Sequence, residues 1–296
     1  MFTTLVAVIA ALVLGHIAPT LVVALRRFNW FRQCLLWLGR QDGQGGLWSG
    51  RHGLWLVLLP PVLLVLLVQL LLADLLLGLP ALLFGVLVLV YAWGPRDLDV
   101  DVESVLDADD AVTRRQRLDL LASTTGQAVD AGAGLSGMVF RSALRRWFAP
   151  LFWFLLLGPA GAMLYRLCER AAVHAPALLP QENAAGARRL LRWLEWPVAQ
   201  AMTLSLALAG DFAKVARAWR VAGGNRWQAR SGFLEECARA AVSGELAEDL
   251  EDARREGYPV ADVESPELRD AMSLVWRMLL LWLALLALLI IAGWVG

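Results

Sequence analysis

The fold class follows from residues 54–94, which read LWLVLLPPVLLVLLVQLLLADLLLGLPALLFGVLVLVYAWG. Asp74 is the only charged residue in this stretch, and it stands shortly before Gly78 and Pro80. A helix rises about 1.5 Å per residue, and the hydrocarbon core of a bilayer is about 30 Å thick. The stretch therefore predicts a helical hairpin that crosses a membrane twice, at about 54–73 and 79–94.

Two further uncharged runs lie at the ends of the sequence, at 1–25 and at 278–294. The first run has no positive residue before Arg26, whereas a secretory signal begins with its positive residues. We therefore expect a retained membrane helix there. The last run follows Ser265-Pro266-Glu267, a typical helix start in which Ser caps the helix and Pro is its first residue. Together with the hairpin, these runs predict four membrane crossings.

Composition supports the same class of protein. Hydrophobic residues make up 58% of the 296, charged residues make up 18%, and 27 basic residues balance 27 acidic ones. Because an average soluble chain has about 25% charged residues, a freely soluble enzyme is disfavoured. Without a basic excess to neutralise phosphates, no nucleic-acid partner is expected. The lipid bilayer is the partner that the composition predicts.

Two middle segments are apolar but irregular. Residues 147–165 contain Pro150, Gly158, Pro159 and Gly161, and residues 196–210 are uncharged for only 15 positions. Each of the two segments is compatible with an interfacial, a re-entrant or a spanning helix. The polar regions are rich in Ala, Leu, Arg and Glu, which favours helix. The predicted fold is an all-α polytopic membrane protein.

The chain divides into five consecutive regions. Most basic residues fall in polar stretches that can share one side of the membrane, and the positive-inside rule places that side in the cytoplasm. The predicted regions are an N-terminal membrane region at 1–94, a cytoplasmic helical segment at 95–146, a core segment at 147–220, a second cytoplasmic helical segment at 221–270 and a C-terminal transmembrane helix at 271–296.

Three local patterns were weighed as sites of chemistry. Gly132 to Gly137 match G-x-G-x-x-G, but no buried strand precedes them, so a turn before a helix is favoured over a dinucleotide site. The acidic run Asp97 to Asp110 has Val102 where a calcium loop requires glycine, and a solvated helix start is favoured. His, Cys and carboxylate residues lack metal-ligand spacing, and no metal is predicted.

Charged residues flank the two middle segments. A membrane protein places charges against a low-dielectric surface only when they are paired, hydrated or functional. If the segments pack together, these charges form a polar ligand pocket at the cytoplasmic boundary; the alternative is ordinary flanking charge whose ends reach into water. The candidate ligand-binding residues are Arg166, Glu169, Arg170, Arg192, Glu195, Asp211 and Lys214.

The middle of the chain resembles the AmpE family of inner-membrane proteins, most strongly over about 140–220. The residues that carry the resemblance are Phe140-Arg141, Phe148-Ala149-Pro150-Leu151-Phe152-Trp153, Gly158-Pro159-Ala160-Gly161, Tyr165-Arg166, Leu194-Glu195-Trp196, Ala207 to Asp211 and Ala218-Trp219. The resemblance implies a multi-pass protein of the bacterial inner membrane that regulates inducible β-lactamase and is linked to peptidoglycan recycling. It also implies the AmpD amidase, or other cell-wall recycling proteins, as partners.

AmpE proteins are relatives of the CobD/CbiB cobalamin synthases, which suggests a membrane-bound amide ligase as an alternative, with a nucleotide and Mg²⁺ as cofactors. Gln200 stands where the cobalamin branch has a basic residue, and the hydroxyl-Asp site of that branch is absent. The sequence thus favours a non-catalytic regulatory protein without a cofactor over an enzyme. A small transporter with broken helices, suggested by Pro60-Pro61 and by Pro150 to Gly161, is the third hypothesis.

Overall fold

All regular structure in the described part of the chain is helical, as the sequence predicts. A computed structural model describes residues 6–11, 14, 28–41, 52–73, 78–93, 98–123, 134–226, 230–256 and 266–292. Its α-helices are α1 (Asn29–Gln41), α2 (Gly53–Leu72), α3 (Leu79–Ala92), α4 (Leu98–Leu106), α5 (Ala111–Ser123), α6 (Gly134–Ala143), α7 (Ala149–Leu157), α8 (Pro159–Glu169), α9 (Gln181–Ala209), α10 (Phe212–Val221), α11 (Phe233–Glu256) and α12 (Pro266–Ile291).

Three shorter helical segments complete these elements. Leu144–Phe148 and Arg170–His174 are π-helical turns, and Pro176–Leu178 is a 3₁₀ turn. A π turn holds more residues than an α turn, so it changes the face on which the following side chains lie. Single π turns inside α-helices occur frequently at functional sites. The first of these π turns carries Arg145 and Arg146, and the second ends at His174; all three residues belong to ion pairs described below.

The described residues group into two compact units, each built from separate parts of the chain. The first unit combines the described residues before position 95 with Ala149–Leu194 and the chain from Leu286 onward. The second unit combines Arg96–Phe148 with Glu195–Leu285. The five predicted regions describe position relative to a membrane and remain predictions.

Among the described residues, two helices are long and apolar enough to cross a membrane. They are α2 and residues Glu267–Ile291 of α12, each with a mean hydropathy of 2.6 and only 22% of the most apolar window buried. The core helix of a soluble protein buries most of such a window, so this exposure supports membrane association. Helix α3 has 14 residues, about 21 Å of helix, and is shorter than the hydrocarbon core. Most of the expected first crossing lies outside the described residues, and four crossings remain a prediction.

The segment at 147–165 is broken at Gly158. Helices α7 and α8 have 9 and 11 residues, so neither alone is as long as the core of a bilayer. Gly158 has φ 70°, which favours glycine, and Pro159 begins α8. A Cβ on Gly161 would lie 2.4 Å from the carbonyl oxygen of Trp153, so only glycine permits this close approach of the two helices.

In the first unit, α8 packs against α2, α3 and α7. The backbone N–H of Ala160 donates to Oε1 of Gln69 at 3.2 Å, so a side chain of α2 satisfies one of the N–H groups that begin α8. A Cβ on Gly85 would touch the ring of Phe154 at 3.4 Å, which shows how closely α3 meets α7. Small residues and one polar side chain thus determine how these helices pack.

In the second unit, α11 packs against α6 and α10, and α4 packs against α5 and α6. Trp282 of α12 donates its Nε1–H to Oγ of Ser205 at 2.7 Å, and its ring meets Phe148 edge-on at 5.0 Å. Leu204 and Leu208 of α9 are exposed on either side of Ser205. The outer face of the end of α9 is therefore apolar, and its inner face is hydrogen-bonded to α12.

Candidate functional site

The polar cluster of the first unit is formed by Arg166, Glu169 and His174. Arg166 Nη1 lies 3.2 Å from Glu169 Oε2, and His174 Nε2 lies 3.1 Å from Glu169 Oε1. Arg166 Nε donates to the carbonyl oxygen of Ala92 at 2.6 Å. The side chains of Arg166 and Glu169 are 1% and 2% exposed. This cluster binds the end of α8 to the last residue of α3.

The π turn explains why His174 reaches Glu169. Five residues separate the two, and a π turn places residues i and i+5 one above the other. Arg166 and Glu169 were both among the candidate residues predicted from the sequence, whereas His174 was not. No spacing rule for an α-helix selects His174, because the departure from α-helical geometry starts only at Arg170.

The carboxyl of Glu169 is held in its charged form. Burial alone raises its pKa, but the charge of Arg166 and the hydrogen bond with His174 together outweigh burial, so the pKa of Glu169 lies well below its usual range. A carboxylate of this kind does not release or accept protons near neutral pH. It acts instead as a fixed negative charge that compensates the buried guanidinium.

Arg170 and Arg192 lie outside this ion pair. The guanidinium of Arg170 stands 4.8 Å from the centre of the Phe28 ring, a cation–π contact, and its Nε is buried without a hydrogen-bond partner in the described chain. Arg192 is exposed on α9. Arg170 is therefore part of the packing next to α1, and Arg192 is a surface residue.

Glu195 is the centre of the polar cluster in the second unit. Its Oε1 lies 2.6 Å from Nε of Arg145, and its Oε2 lies 4.0 Å from Nη1 of Arg141 and accepts from Oγ of Ser231 at 3.4 Å. Arg141 in turn pairs with Glu235 of α11. Helix α6, the π turn after it, α9 and α11 are joined by this network, which sequence analysis had not assembled.

A second buried ion pair joins Arg146 to Asp101, with Nη1 and Oδ2 at 2.6 Å. The prediction of a solvated helix start at Asp97 to Asp110 is wrong for Asp101, which is 5% exposed. The reason is that Asp101 lies on the inner face of α4, where its carboxylate compensates the charge of a buried guanidinium. Asp97 itself lies outside the described residues.

Asp211 and Lys214 meet at the start of α10. The Oδ1 atom of Asp211 accepts from the backbone N–H groups of Ala213 and Lys214 at 2.8 and 3.0 Å, and Lys214 Nζ lies 3.3 Å from Oδ2. The backbone hydrogen bond from Lys214 contributes most to lowering the pKa of Asp211. Asp211 thus acts as a helix N-cap.

Gln200 joins α9 to α10. Its Oε1 accepts from Nε1 of Trp219 at 2.9 Å, and its Nε2 donates to the carbonyl oxygen of Gly224 at 2.7 Å. A Cβ on Gly224 would lie 2.2 Å from the Trp219 ring, so the chain can turn this tightly only at glycine. Gln200 therefore has structural partners within the second unit.

Gly134 and Gly137 of the G-x-G-x-x-G pattern lie in the first turn of a helix. Gly134 has φ 70°, and α6 begins there; Gly132 lies outside the described residues. The N–H of Ser136 donates to Oε1 of Glu267 at 3.0 Å. A carboxylate of the same unit therefore occupies this helix N-terminus, where a dinucleotide fold would bind phosphate.

The described part of each unit contains a cavity. In the first unit a cavity of about 300 Å³ is lined by Gln69, Gly85, Phe154 and Gly158, among mostly small apolar residues. In the second unit an open cleft of about 600 Å³ lies between α10 and α11. Lys214, Arg217, Glu236 and Arg239 line this cleft, and Arg239 pairs with Glu236 at 3.0 Å.

Five of the seven candidate residues form ion pairs within their own units, and Arg170 and Arg192 do not take part in these pairs. Arg166 meets Glu169, and Asp211 meets Lys214, whereas Glu195 meets arginines that sequence analysis had not selected. A single ligand pocket shared by all seven residues remains a prediction. Among the described residues, no three His, Cys, Asp or Glu side chains are grouped closely enough to hold a metal ion.

Comparisons of the chain with protein-family models, with curated proteins and with solved structures gave no match.

Proposed function

We propose that this chain is an AmpE-like protein of the bacterial inner membrane that takes part in regulating β-lactamase induction in response to peptidoglycan recycling. The observation that carries this proposal is that charged residues of the AmpE-like segment occupy buried, paired positions. Arg166 is bound by Glu169, and Glu195 is bound by Arg145. These residues hold the helices of each unit together. The resemblance to AmpE proteins therefore involves residues that maintain the fold, which supports a shared architecture.

The same pairs favour a binding or signalling role over catalysis. Glu169 and Glu195 are each 2% exposed, and arginines engage both. A general acid or base must reach the proton of a bound substrate, which such carboxylates do not. Buried ion pairs instead stabilise one packing of helices over others, which suits a protein that changes state when a ligand or partner binds. The proposed partners are an AmpD-type amidase or other cell-wall recycling proteins.

A multi-pass topology with cytoplasmic polar segments belongs to the same proposal. The length and exposure of α2 and α12 support it. Fusions of a periplasm-dependent reporter enzyme and a cytoplasm-dependent one after residues 50, 76, 125 and 225 test it. We expect the cytoplasmic reporter to be active at 50, 125 and 225 and the periplasmic one at 76. The reverse pattern at any of these positions would overturn the orientation.

Deletion of the gene in a strain with an inducible β-lactamase tests the function. We expect altered induction by a β-lactam or an altered muropeptide pool, restored by the wild-type gene and not by Glu195→Gln. The matched control is Glu182→Gln, which changes an exposed glutamate at the start of α9. If the deletion leaves both induction and muropeptides unchanged, the regulatory function is wrong.

Nucleotide binding distinguishes the ligase alternative. Gln200 is engaged by Trp219 and Gly224, which favours the regulatory proposal over a ligase. Equilibrium dialysis of the purified protein in detergent with ATP and Mg²⁺, or with adenosylcobyric acid, is the direct assay. Saturable binding of either would support the ligase.

A transporter is a second candidate that one feature favours. The cavity of the first unit lies beside the helix break at Gly158, an arrangement like the broken helices that line transporter sites. Cysteine substituted for Leu82 in this cavity should then react with impermeant thiol reagents from both sides of the membrane. Labelling from one side only, in every condition, would exclude alternating access.

A further inference from the structure

We infer that α1 is an amphipathic helix whose outer face binds the headgroups of anionic phospholipids. The inference rests on the membrane location proposed above but not on a role in β-lactamase induction, so the two proposals fail in different experiments. It concerns a surface of the first unit that none of the buried pairs uses.

The two faces of α1 differ in burial. Phe28 just before the helix and Phe31 and Leu35 within it lie on the inner face and are buried. Trp30 and Trp37, one heptad apart on the outer side, are 41% and 56% exposed. Two exposed tryptophans on a helix of 13 residues form an unusual surface for water but a favourable one for the headgroup layer.

The charge of the helix complements an anionic surface. Arg32 and Arg40 are exposed, and α1 contains no acidic residue. Interfacial helices bury apolar side chains at the headgroup boundary while their basic residues contact anionic lipids. The outer face of α1 offers both kinds of contact, although the whole chain has a net charge of zero.

The contacts of Trp30 attach α1 to one end of the α2–α3 hairpin. Trp30 donates its Nε1–H to the hydroxyl of Tyr91 at 2.6 Å, and the ring of Phe28 lies 4.5 Å from that of Tyr91. Tyr91 is the penultimate residue of α3.

Helices α2 and α3 contact each other and are joined by a short connection, so the start of α2 lies at the same end as Tyr91. Trp55, in the first turn of α2, is exposed there. Helix α1 is thus bound to the end of the apolar hairpin at which aromatic side chains gather, as at a membrane–water interface. An anionic leaflet is the occupant that meets the tryptophans and the arginines together.

Lipid selectivity is the first test. The purified full-length protein in detergent is melted with added phosphatidylglycerol or phosphatidylcholine. We expect the glycerol lipid to raise Tm more than the choline lipid, and Arg32→Gln/Arg40→Gln to lose at least half of that difference. Each arginine near an anionic surface gives about a fivefold gain in affinity. The Arg32→Gln/Arg40→Gln variant should therefore bind phosphatidylglycerol about 25-fold more weakly than the wild type.

The matched control is Arg217→Gln/Arg220→Gln, which removes two exposed arginines from α10. It should retain the difference between the lipids. Equal loss in both double variants, or no difference between the lipids for the wild type, would overturn the inference.

Depth in the membrane is the second test. A Trp37→Cys variant in a Cys34→Ser background is labelled with a fluorophore and reconstituted in phosphatidylglycerol vesicles; Cys168 and Cys237 are buried and remain unlabelled. We expect lipids with a quencher near the headgroup to quench more strongly than lipids with a quencher near the chain end. Quenching only by aqueous iodide would refute lipid binding. A dimer that shields the label from both quenchers would also refute it, and would indicate that a second copy of the chain covers the outer face of α1.

Discussion

The ion pair between Arg166 and Glu169 gives the most specific prediction. Glu169→Ala removes the carboxylate that lies 3.2 Å from a guanidinium that is 1% exposed. Breaking a buried pair from one side costs about 3–5 kcal/mol, because the charge that remains buried loses the partner that compensates it. At about 2–3 °C per kcal/mol for a chain of this size, Tm should fall by about 6–15 °C.

The thiol of Cys168 provides the assay, because it is buried in the same helix and donates to the carbonyl oxygen of Ala187. In a Cys34→Ser/Cys237→Ala background, a dye that fluoresces on reaction with thiols reports when the first unit opens. Glu182→Ala, which removes an exposed carboxylate, should shift Tm by about 1–2 °C.

A double variant separates lost charge compensation from lost packing. Arg166→Met/Glu169→Leu removes both charges and keeps apolar volume, and it should recover more than half of the loss. If Glu169→Ala melts within about 2 °C of its parent, or if the double variant is no more stable than Glu169→Ala, the pair does not stabilise the first unit in the way argued.

Three further predictions concern the same architecture. Glu195→Gln removes the negative charge 2.6 Å from Arg145 Nε and should lower the stability of the second unit by about 2–4 kcal/mol, measured as earlier reaction of Cys237 in a Cys34→Ser/Cys168→Ala background. Gly158→Ala puts a Cβ 2.6 Å from Nε2 of Gln69 at φ 70°, and should cost about 1–3 kcal/mol by the melting assay with Cys168. Because the folded-state pKa of Glu169 is lowered, its stabilisation is present above the unfolded value of about 4.3 and is lost progressively as pH falls below that value. The difference in Tm between wild type and Glu169→Gln should therefore narrow as pH falls from about 6 to about 3.

Each of these predictions has a result that contradicts it. Unchanged reactivity of Cys237 in Glu195→Gln would show that Arg145 does not depend on this carboxylate. A stabilised Gly158→Ala protein would mean that the left-handed conformation is not required at the break. A constant Tm difference down to pH 3 would show that the charge of Glu169 is not what stabilises the wild type.

The sequence predicted the helical class and the positions of the apolar helices because both depend on composition along the chain. An uncharged run of 20 residues is recognisable from its length alone, and α2 covers almost the range predicted for it. The i, i+3 pairs of Arg166 with Glu169 and of Asp211 with Lys214 were recognisable for a similar reason, since the spacing of an α-helix places such residues on one face.

The remaining partners could not be predicted in the same way. His174 reaches Glu169 through a π turn, and Arg145 reaches Glu195 from a π turn 50 positions earlier in the chain. The sequence predicted that Asp101 belongs to a solvated helix start, whereas in the structure the packing of α4 brings Asp101 against Arg146. Neither a periodicity nor a motif marks these contacts.

What the sequence determined by itself is therefore local: helical structure in the described residues, the two long apolar helices among the four predicted crossings, and the charges that flank apolar segments. Hydrophobicity and helical spacing act over a few turns, and they can be read from neighbouring residues. Only the tertiary structure decided which buried charges compensate each other. A buried charge needs a partner because an unpaired charge is unfavourable in a low-dielectric interior. Which residue becomes that partner depends on the packing of helices that are far apart in the chain.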